Sequence, residues 1–435
     1  MSLLKAVRGT RDLLPPETEL WNHVEATARR VFARYNFGEI RTPVFEDTQL
    51  FARGVGEETD IVSKEMYTWE DRARAQSEKS QLLTLRPENT AGVVRAYIEH
   101  KLGETGLLQK LYYIGPQFRR ERPQKGRYRQ FWQIGAEVIG PPSAGSESPL
   151  RDAEVLEMLA TFLDELGITG WTLVLNSVGS AADRPRYIAA LREALREVAP
   201  RMCVDCQRRA ETNPLRVLDC KVPEDQPIIE TLPRIADYLD DASKAHFAAV
   251  LAALDACGVK YEVNPRLVRG LDYYTRTTFE FTHGGLGAQN ALLGGGRYDG
   301  LSEMLGGPKA PGIGFAMGLD RLILTLQQSR SAEAASTETA LADTFIAPLG
   351  EELNATALEL ARELRRQGLR VELGDGAFRL KKSFEIGNKL ARNIILLGED
   401  EQRSGILTVK NFASGEQTKI PREQLVLSLR KSQEA

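Results

Sequence analysis

Cysteine is scarce in this chain, with four in 435 residues. That is too few for a disulfide framework, which excludes the cross-linked secreted class and makes a reducing cytoplasm the expected compartment. Long apolar runs are missing as well. No stretch reaches the roughly 20 residues that a membrane-spanning helix requires, so no membrane association is expected. The opening MSLLKAVRGTRD has no apolar h-region of the kind a secretory signal carries. Neither sign of charge is in large excess: the formal net charge is -3 and the pI near 6.0. Bulk attraction to nucleic acid is excluded, and any RNA contact must come from local basic patches.

The rest of the composition is that of a globular protein, with 42% hydrophobic and 27% charged residues. The length exceeds one ordinary core, so two or three domains are expected. Leu20, Val24, Val31, Phe32 and Tyr35 recur near helical spacing, which predicts an amphipathic helix over Glu17 to Tyr35. A short strand, Glu39 to Thr42, follows and stops at Pro43. Lys64 to Trp69 and Gln81 to Leu85 read as strands, and Arg86-Pro-Glu-Asn-Thr90 opens a helix through His100. After a helix over Asp152 to Leu166 and a strand over Trp171 to Val178, the texture changes. Residues 180–258 are rich in Arg, Ala, Leu and Glu and poor in strand signals, as a helical insertion would be. The low-complexity stretch QQSRSAEAASTETA, from Gln327 to Ala340, is the clearest boundary. Beyond it strands and helices alternate, which predicts a small α/β domain with a largely parallel sheet. The expected division is 1–179 and 259–326 for a split first domain, 180–258 for the insertion, 327–341 for a linker and 342–435 for the last domain.

The chemistry is concentrated between Leu111 and Gly140, LYYIGPQFRRERPQKGRYRQFWQIGAEVIG. At period two, Tyr112, Ile114 and Phe118 share one face of a first strand, with Tyr113, Gln117, Arg119 and Glu121 on the other. A second strand sets Trp132, Ile134, Ala136 and Val138 against Phe131, Gln133 and Glu137. Between them, Arg119 to Arg129 holds six Lys or Arg and one acid, a concentration that suits phosphate because each guanidinium can fork onto two oxygens. An exposed basic hairpin is the bland alternative. It leaves unexplained why so many polar groups share one strand face, where burial without partners is costly.

Three later stretches stand out. Leu267 to Phe281, LVRGLDYYTRTTFEF, presents Arg269, Tyr273 and Tyr274 ahead of a strand. Gly294-Gly-Gly-Arg-Tyr-Asp-Gly300 would let backbone approach a ligand closely, or would form a turn. Gly312 to Arg321 reads as a strand entering a helix whose apolar positions are Leu319, Leu322, Ile323 and Leu326. Neither glycine cluster matches a dinucleotide fingerprint. Cys203-Val-Asp-Cys206 and Cys220 have the gap of a zinc knuckle, yet Cys257 and His246 fall off the pattern as a fourth ligand. Buried thiols are the expectation there, and no metal is assigned.

Phe118-Arg-Arg-Glu-Arg122, followed by Phe131-Trp-Gln133 and Glu137, resembles the second signature motif of the class II aminoacyl-tRNA synthetases. The helix and strand ending at Pro43 resemble the first motif, and Gly312 to Arg321 resembles the third. LVRGLDYY, the glycine cluster through Tyr298, and TLRPENT, with Asn89 where Gly is usual, are similar to the motifs of histidyl-tRNA synthetases. The resemblance implies an α+β catalytic domain on an antiparallel sheet, a mainly helical insertion that approaches the tRNA acceptor stem, and a C-terminal α/β domain of the anticodon-binding type. It implies activation of L-histidine by ATP, then transfer to the tRNA for histidine, with Mg²⁺ and a homodimer. By the same resemblance Arg119 and Arg269 act at the α-phosphate and Arg321 at the γ-phosphate. Glu121 meets the adenine edge, Phe131 stacks on the base, and Arg127 lies near the outer phosphates. Glu88 and Thr90 take the α-amino group, while Gln133, Glu137, Tyr273, Tyr274 and Tyr298 border the histidine.

Two other classes compete. One is a synthetase-like regulatory subunit, which keeps the fold but loses catalytic arginines and usually the C-terminal domain. The other is a non-catalytic RNA-binding protein that uses the Arg119–Arg129 loop. The joint presence of Arg119, Arg269, Arg321 and a candidate C-terminal domain favours the ligase.

Overall fold

A computed structural model describes residues 3–56, 59, 61–71, 80–121, 126–269, 273–286, 290–333 and 342–434, without the side chains of 329–333 and 431–434. These fall into two units, 1–333 and 334–435. The first begins with helix α1 (Glu17–Arg34), whose opening turn carries Glu17 and Glu19 and whose last turn carries Arg34, each opposing the helix dipole. Its buried stripe is Trp21, Val24, Val31 and Phe32. Each such side chain contributes about 1.5–3 kcal/mol on burial. There follow β1 (Gly38–Glu39), β2 (Phe45–Asp47), α2 (Thr48–Val55), β3 (Tyr67–Asp71), β4 (Gln81–Leu85) and α3 (Thr90–Glu99). The central hairpin is β5 (Gln109–Phe118) and β6 (Gln130–Ile139), followed by α4 (Pro149–Glu165) and β7 (Trp171–Ser177). The segment expected as an insertion holds α5 (Arg184–Val198), α6 (Val204–Thr212), α7 (Gln226–Ile229) and α8 (Asp241–Ala256). The unit closes with β8 (Tyr261–Val263), β9 (Thr275–His283), β10 (Ala291–Arg297), α9 (Leu301–Met304), β11 (Gly312–Gly318) and α10 (Leu319–Glu333).

Eight strands form one sheet in the order β1-β5-β6-β11-β10-β9-β7-β8, antiparallel throughout its six inner strands and parallel at both edges. One face is greasy. Tyr112, Ile134, Ala136, Val138, Phe279, Phe281 and Phe315 pack there against Val31 and Phe32 of α1, Leu159 and Phe162 of α4, Val250 and Leu254 of α8, and Leu322 and Leu326 of α10. The alternation read from the hairpin therefore holds strand by strand. A separate sheet, β2-β4-β3, lies beside α3 in the chain.

Several boundaries moved. The strand expected to run to Thr42 is only two residues long, because the Thr42 carbonyl is taken by the Arg86 guanidinium at 3.0 Å and no longer serves a ladder. Residues 61–65 form a helical turn, so β3 starts at Tyr67 and not at Lys64. Residues 327–333 continue α10, and 334–341 of the expected linker lie outside the described residues. Gly294-Gly-Gly296 is the middle of β10 and makes no turn. The last helix of the 180–258 segment, α8, belongs to the core under the large sheet, whereas α5 to α7 pack in a second cluster that reaches Tyr273, Tyr274 and Tyr298.

The C-terminal unit consists of β12 (Ala342–Pro348), α11 (Asn354–Arg366), β13 (Val371–Leu373), α12 (Leu380–Leu390), β14 (Ala391–Leu397), α13 (Glu399–Ser404), β15 (Ile406–Asn411), β16 (Gln417–Pro421) and α14 (Leu425–Glu434). Its sheet, β13-β12-β14-β15-β16, is parallel over the first three strands and antiparallel over the last two. The expected parallel α/β core is there. The antiparallel β15–β16 hairpin extends it.

One polar cluster is fully enclosed. Arg297, at the end of β10, donates from Nη2 to Asp152 Oδ1 at 2.5 Å and from Nη1 to the Ser146 carbonyl at 2.8 Å. His246 of α8 meets the second Asp152 oxygen at 2.9 Å. Asp299 Oδ1, 2.9 Å from Arg297 Nη1, is the other carboxylate on this guanidinium, so Asp152→Ala leaves it half-paired and is expected to cost about 3 kcal/mol. Denaturant unfolding monitored on this unit checks it, and a loss below about 1 kcal/mol would contradict the buried-pair account.

Candidate active site

The second face of the large sheet is stripped of side-chain bulk where the site forms. One row across it runs Glu280, Gly294, Ala316, Gly135, Tyr113, and the next runs Thr278, Gly296, Gly314, Glu137. The glycines are needed because other side chains lie flat on their backbone. A Cβ at Gly294 would stand 2.6 Å from Arg269 Nη1, one at Gly296 2.8 Å from the Tyr274 ring, and one at Gly135 2.3 Å from the Tyr113 ring. The sequence offered close approach or a turn for the glycine cluster; the close approach is to the protein's own arginine and tyrosine.

Above this face is a cavity of about 450 Å³. Glu88, Thr90, Arg119, Glu121, Arg127, Phe131, Gln133, Arg269, Tyr273, Tyr274, Tyr298 and Arg321 all line it. Residues from six separate stretches thus converge on one hollow. Arg119 sits over the Phe131 ring, 5.3 Å from its centroid, and is tethered to the Pro87 carbonyl through Nε at 2.9 Å. Arg127 pairs with Glu121 at 2.9 Å. Arg269 pairs closely with Glu280; burial lowers the guanidinium pKa, and Glu280 and Tyr274 together outweigh that and leave it raised. Arg321 donates to the Ala291 carbonyl at 3.0 Å, and burial together with the Arg127 charge lowers its pKa. Crowded cations of this kind invite a polyanion. Residues 122–125 of the basic loop and 270–272 of the LVRGLDYY segment lie outside the described residues.

Glu88 caps α3, accepting from the backbone N–H of Thr90 at 2.8 Å and of Ala91 at 3.1 Å. Its capping role is therefore real, and its carboxylate still lines the cavity. Burial raises its pKa. Asn89 turns away and accepts the Thr42 hydroxyl at 2.6 Å. Glu137 corrects the sequence-based picture most. It is fully buried beneath the cavity surface, and its two oxygens accept the hydroxyls of Thr90 and Tyr298, each at 2.7 Å. Burial pushes its pKa up to about 8, and the Glu88 charge adds to the rise. Neither carboxylate forms an ion pair among the described residues, so the floor of the cavity favours a cation. Gln133 Oε1 and the Tyr113 hydroxyl are buried there without a hydrogen-bond partner among the described residues.

The family profile described as "Histidyl-tRNA synthetase" matches residues 9–322, and that described as "Anticodon binding domain" matches 343–432. The chain belongs to the histidyl-tRNA synthetase family. "Histidine--tRNA ligase" of Koribacter versatilis is 72% identical over 98% of this chain and 96% of its own length. The same-named protein of Solibacter usitatus is 56% identical over 98% and 99%. The apo crystal structure of Staphylococcus aureus histidyl-tRNA synthetase superposes with a TM-score of 0.79 at 38% identity, covering 98% of this chain and all of that one. The large antiparallel sheet and the second α/β unit are thus those of a class II synthetase.

Within this family fold, sequence reasoning missed Glu280, Asp320, Asp219 and Lys221, which also line the cavity. Glu280 was legible from the alternation in TRTTFEF, which puts it on the Thr278 face. Asp219 and Lys221 come from the helical segment, and no local pattern connects them to the sheet. Gly294→Ala isolates the close-packing argument, because the three atoms nearest the added methyl all belong to the Arg269 guanidinium. The variant is expected to keep its far-UV circular dichroism and to lose roughly tenfold or more in amino-acid activation, as displaced positioning residues do. Full activity would show that Arg269 need not lie on the sheet.

Proposed function

We propose that this cavity condenses L-histidine with ATP and that the resulting adenylate esterifies the 3′ end of the tRNA for histidine. The observation that carries the reading is the convergence of Arg119, Arg269 and Arg321 beside Glu88, Thr90 and Gln133. Histidine's carboxylate is ionised at neutral pH and needs no general base. One of its oxygens attacks the α-phosphorus, the bond to the bridging oxygen breaks, and pyrophosphate leaves. The ribose hydroxyl then attacks the adenylate carbonyl and AMP departs. Arg119 and Arg269 stabilise charge at the α-phosphate, and Arg321 and Arg127 hold the outer phosphates. Phe131 supplies a stacking surface for adenine, and Glu121 accepts from its exocyclic amine.

At the other end Glu88 and Thr90 take the α-ammonium group. Gln133 and Tyr274 meet the imidazole, with Tyr273 beside them, while Glu137 orients the Thr90 and Tyr298 hydroxyls from below. A competitor lacking ring nitrogens leaves these buried groups unpaired, which rejects it strongly. Glu280 offers an oxygen donor of the type Mg²⁺ takes beside substrate phosphates; bound there, the ion would neutralise phosphate charge. The α5–α7 segment faces the tRNA acceptor end, and the last domain, which matches the anticodon-binding profile, takes the anticodon end of the tRNA.

The protein works in the cytoplasm as a homodimer. Phe45, Trp69 and Leu82 of the β2-β4-β3 sheet support the dimer, since they remain 52%, 40% and 54% exposed with the first two rings 6.0 Å apart. A monomer in sedimentation at micromolar concentration would contradict it.

ATP–pyrophosphate exchange with each amino acid tested separately is the deciding experiment, and only histidine is expected to respond. Arg269→Ala should reduce exchange about a hundredfold or more with the fold intact. Glu137→Ala should raise the KM for histidine. Exchange near the wild-type level in the first, or unchanged histidine kinetics in the second, would remove that residue from its role.

A further inference from the structure

Cys203, Cys206 and Cys220, whose spacing has the gap of a zinc knuckle, come together with Asp225, which no sequence pattern joined to them. One ligand-type atom from each lies within 4.8 Å of the others. Cys203 sits at the start of α6 and Cys206 within its first turn, while Cys220 and Asp225 come from the loops between α6 and α7. The missing fourth group is thus a carboxylate five residues beyond Cys220, and neither Cys257 nor His246 takes part.

We propose that these four residues form a closed, four-coordinate site for a divalent metal ion of the zinc class, and that the ion anchors the Asp219–Lys221 segment at the rim of the catalytic cavity. Zn²⁺ bound at about 2.3 Å from sulfur and 2.0–2.2 Å from oxygen sets tetrahedral donors roughly 3.5–3.8 Å apart. Cys203 Sγ and Cys220 Sγ are 3.9 Å apart, and Cys220 Sγ is 3.2 Å from Asp225 Oδ2. Side-chain movements of about 1 Å bring the remaining spans into that range.

The charge arrangement points the same way. Asp225 is 1% exposed and forms no ion pair among the described residues. It accepts the Cys203 backbone N–H at 3.0 Å and otherwise faces sulfur. Thiols alone pack well as small hydrophobes, but the buried Asp225 carboxyl enclosed among them has no cationic countercharge among the described residues. A dication supplies it, and three sulfur ligands select zinc over magnesium or calcium. All four cysteines are free, so no disulfide competes for these sulfurs.

The link to the cavity is covalent. Cys220 is flanked by Asp219 and Lys221, both of which line the catalytic hollow. Cys206 and Cys220 also pack in the cluster that holds Tyr273, Tyr274 and Tyr298.

The test uses the full chain purified without chelator and assayed by mass spectrometry for metal. Stoichiometric zinc is expected, with Cys206→Ser and Asp225→Ala reducing it by roughly tenfold or more and Cys257→Ser leaving it unchanged. Cobalt exchanged into the wild-type protein should give thiolate charge-transfer bands and the intense visible bands of a tetrahedral ion. This readout needs no variant to fold. Absence of zinc together with absence of those bands would overturn the site. Removing the metal should raise the KM for ATP several-fold in the exchange assay, and an unchanged KM would overturn the anchoring role. Metal content is read independently of activity, so failure of this proposal is distinguishable from failure of the ligase reading.

Discussion

Everything at the catalytic centre depends on how near side chains can come to the backbone of the large sheet. Gly135, Gly294, Gly296 and Gly314 remove the Cβ atoms that would otherwise hold Tyr113, Arg269, Tyr274 and Glu137 away. A neutral sheet surface thereby becomes a shallow floor on which guanidinium and phenol groups lie flat. The opposite face has no such freedom, because it must fill the space under four helices at crystal-like density. The same strands therefore carry two incompatible demands on alternate residues, and period-two alternation is the one pattern that satisfies both.

The electrostatics of the floor follow from that geometry. Arginines gather at one end, where Arg321 is lowered by burial and by Arg127, and buried carboxylates gather at the other, where Glu88 and Glu137 are raised by burial. Each end is unfavourable by itself. Under the proposed function a zwitterionic amino acid joined to a polyphosphate would satisfy both ends at once, with its ammonium toward the acids and the phosphates toward the arginines. In this account catalysis is mainly positioning and charge compensation.

The buried Arg297–Asp152–His246 cluster ties the end of β10 to α4 and α8. It lies one residue before Tyr298, so the strand that presents Tyr298 to Glu137 is fixed from its apolar side. The second cluster fixes Tyr273 and Tyr274 from the side of the helical segment. That side of the cavity is thus braced by two buried layers of the fold.

The amino-acid sequence alone determined the hairpin, its two faces, the order of the arginine-bearing motifs and the alternating C-terminal unit. Those features are local: periodicity, turn residues and short motifs are written in neighbouring positions and survive any arrangement of the rest. Tertiary structure decided what local pattern cannot encode. It sank Glu137 beneath Thr90 and Tyr298, paired Arg269 with Glu280, drew Asp219 and Lys221 to the cavity and set Asp225 among three sulfurs. It also placed α8 in the main core, although its sequence texture matches the helices before it. Each of these depends on which surfaces pack together across long stretches of chain, and packing follows from shape and burial summed over the whole fold.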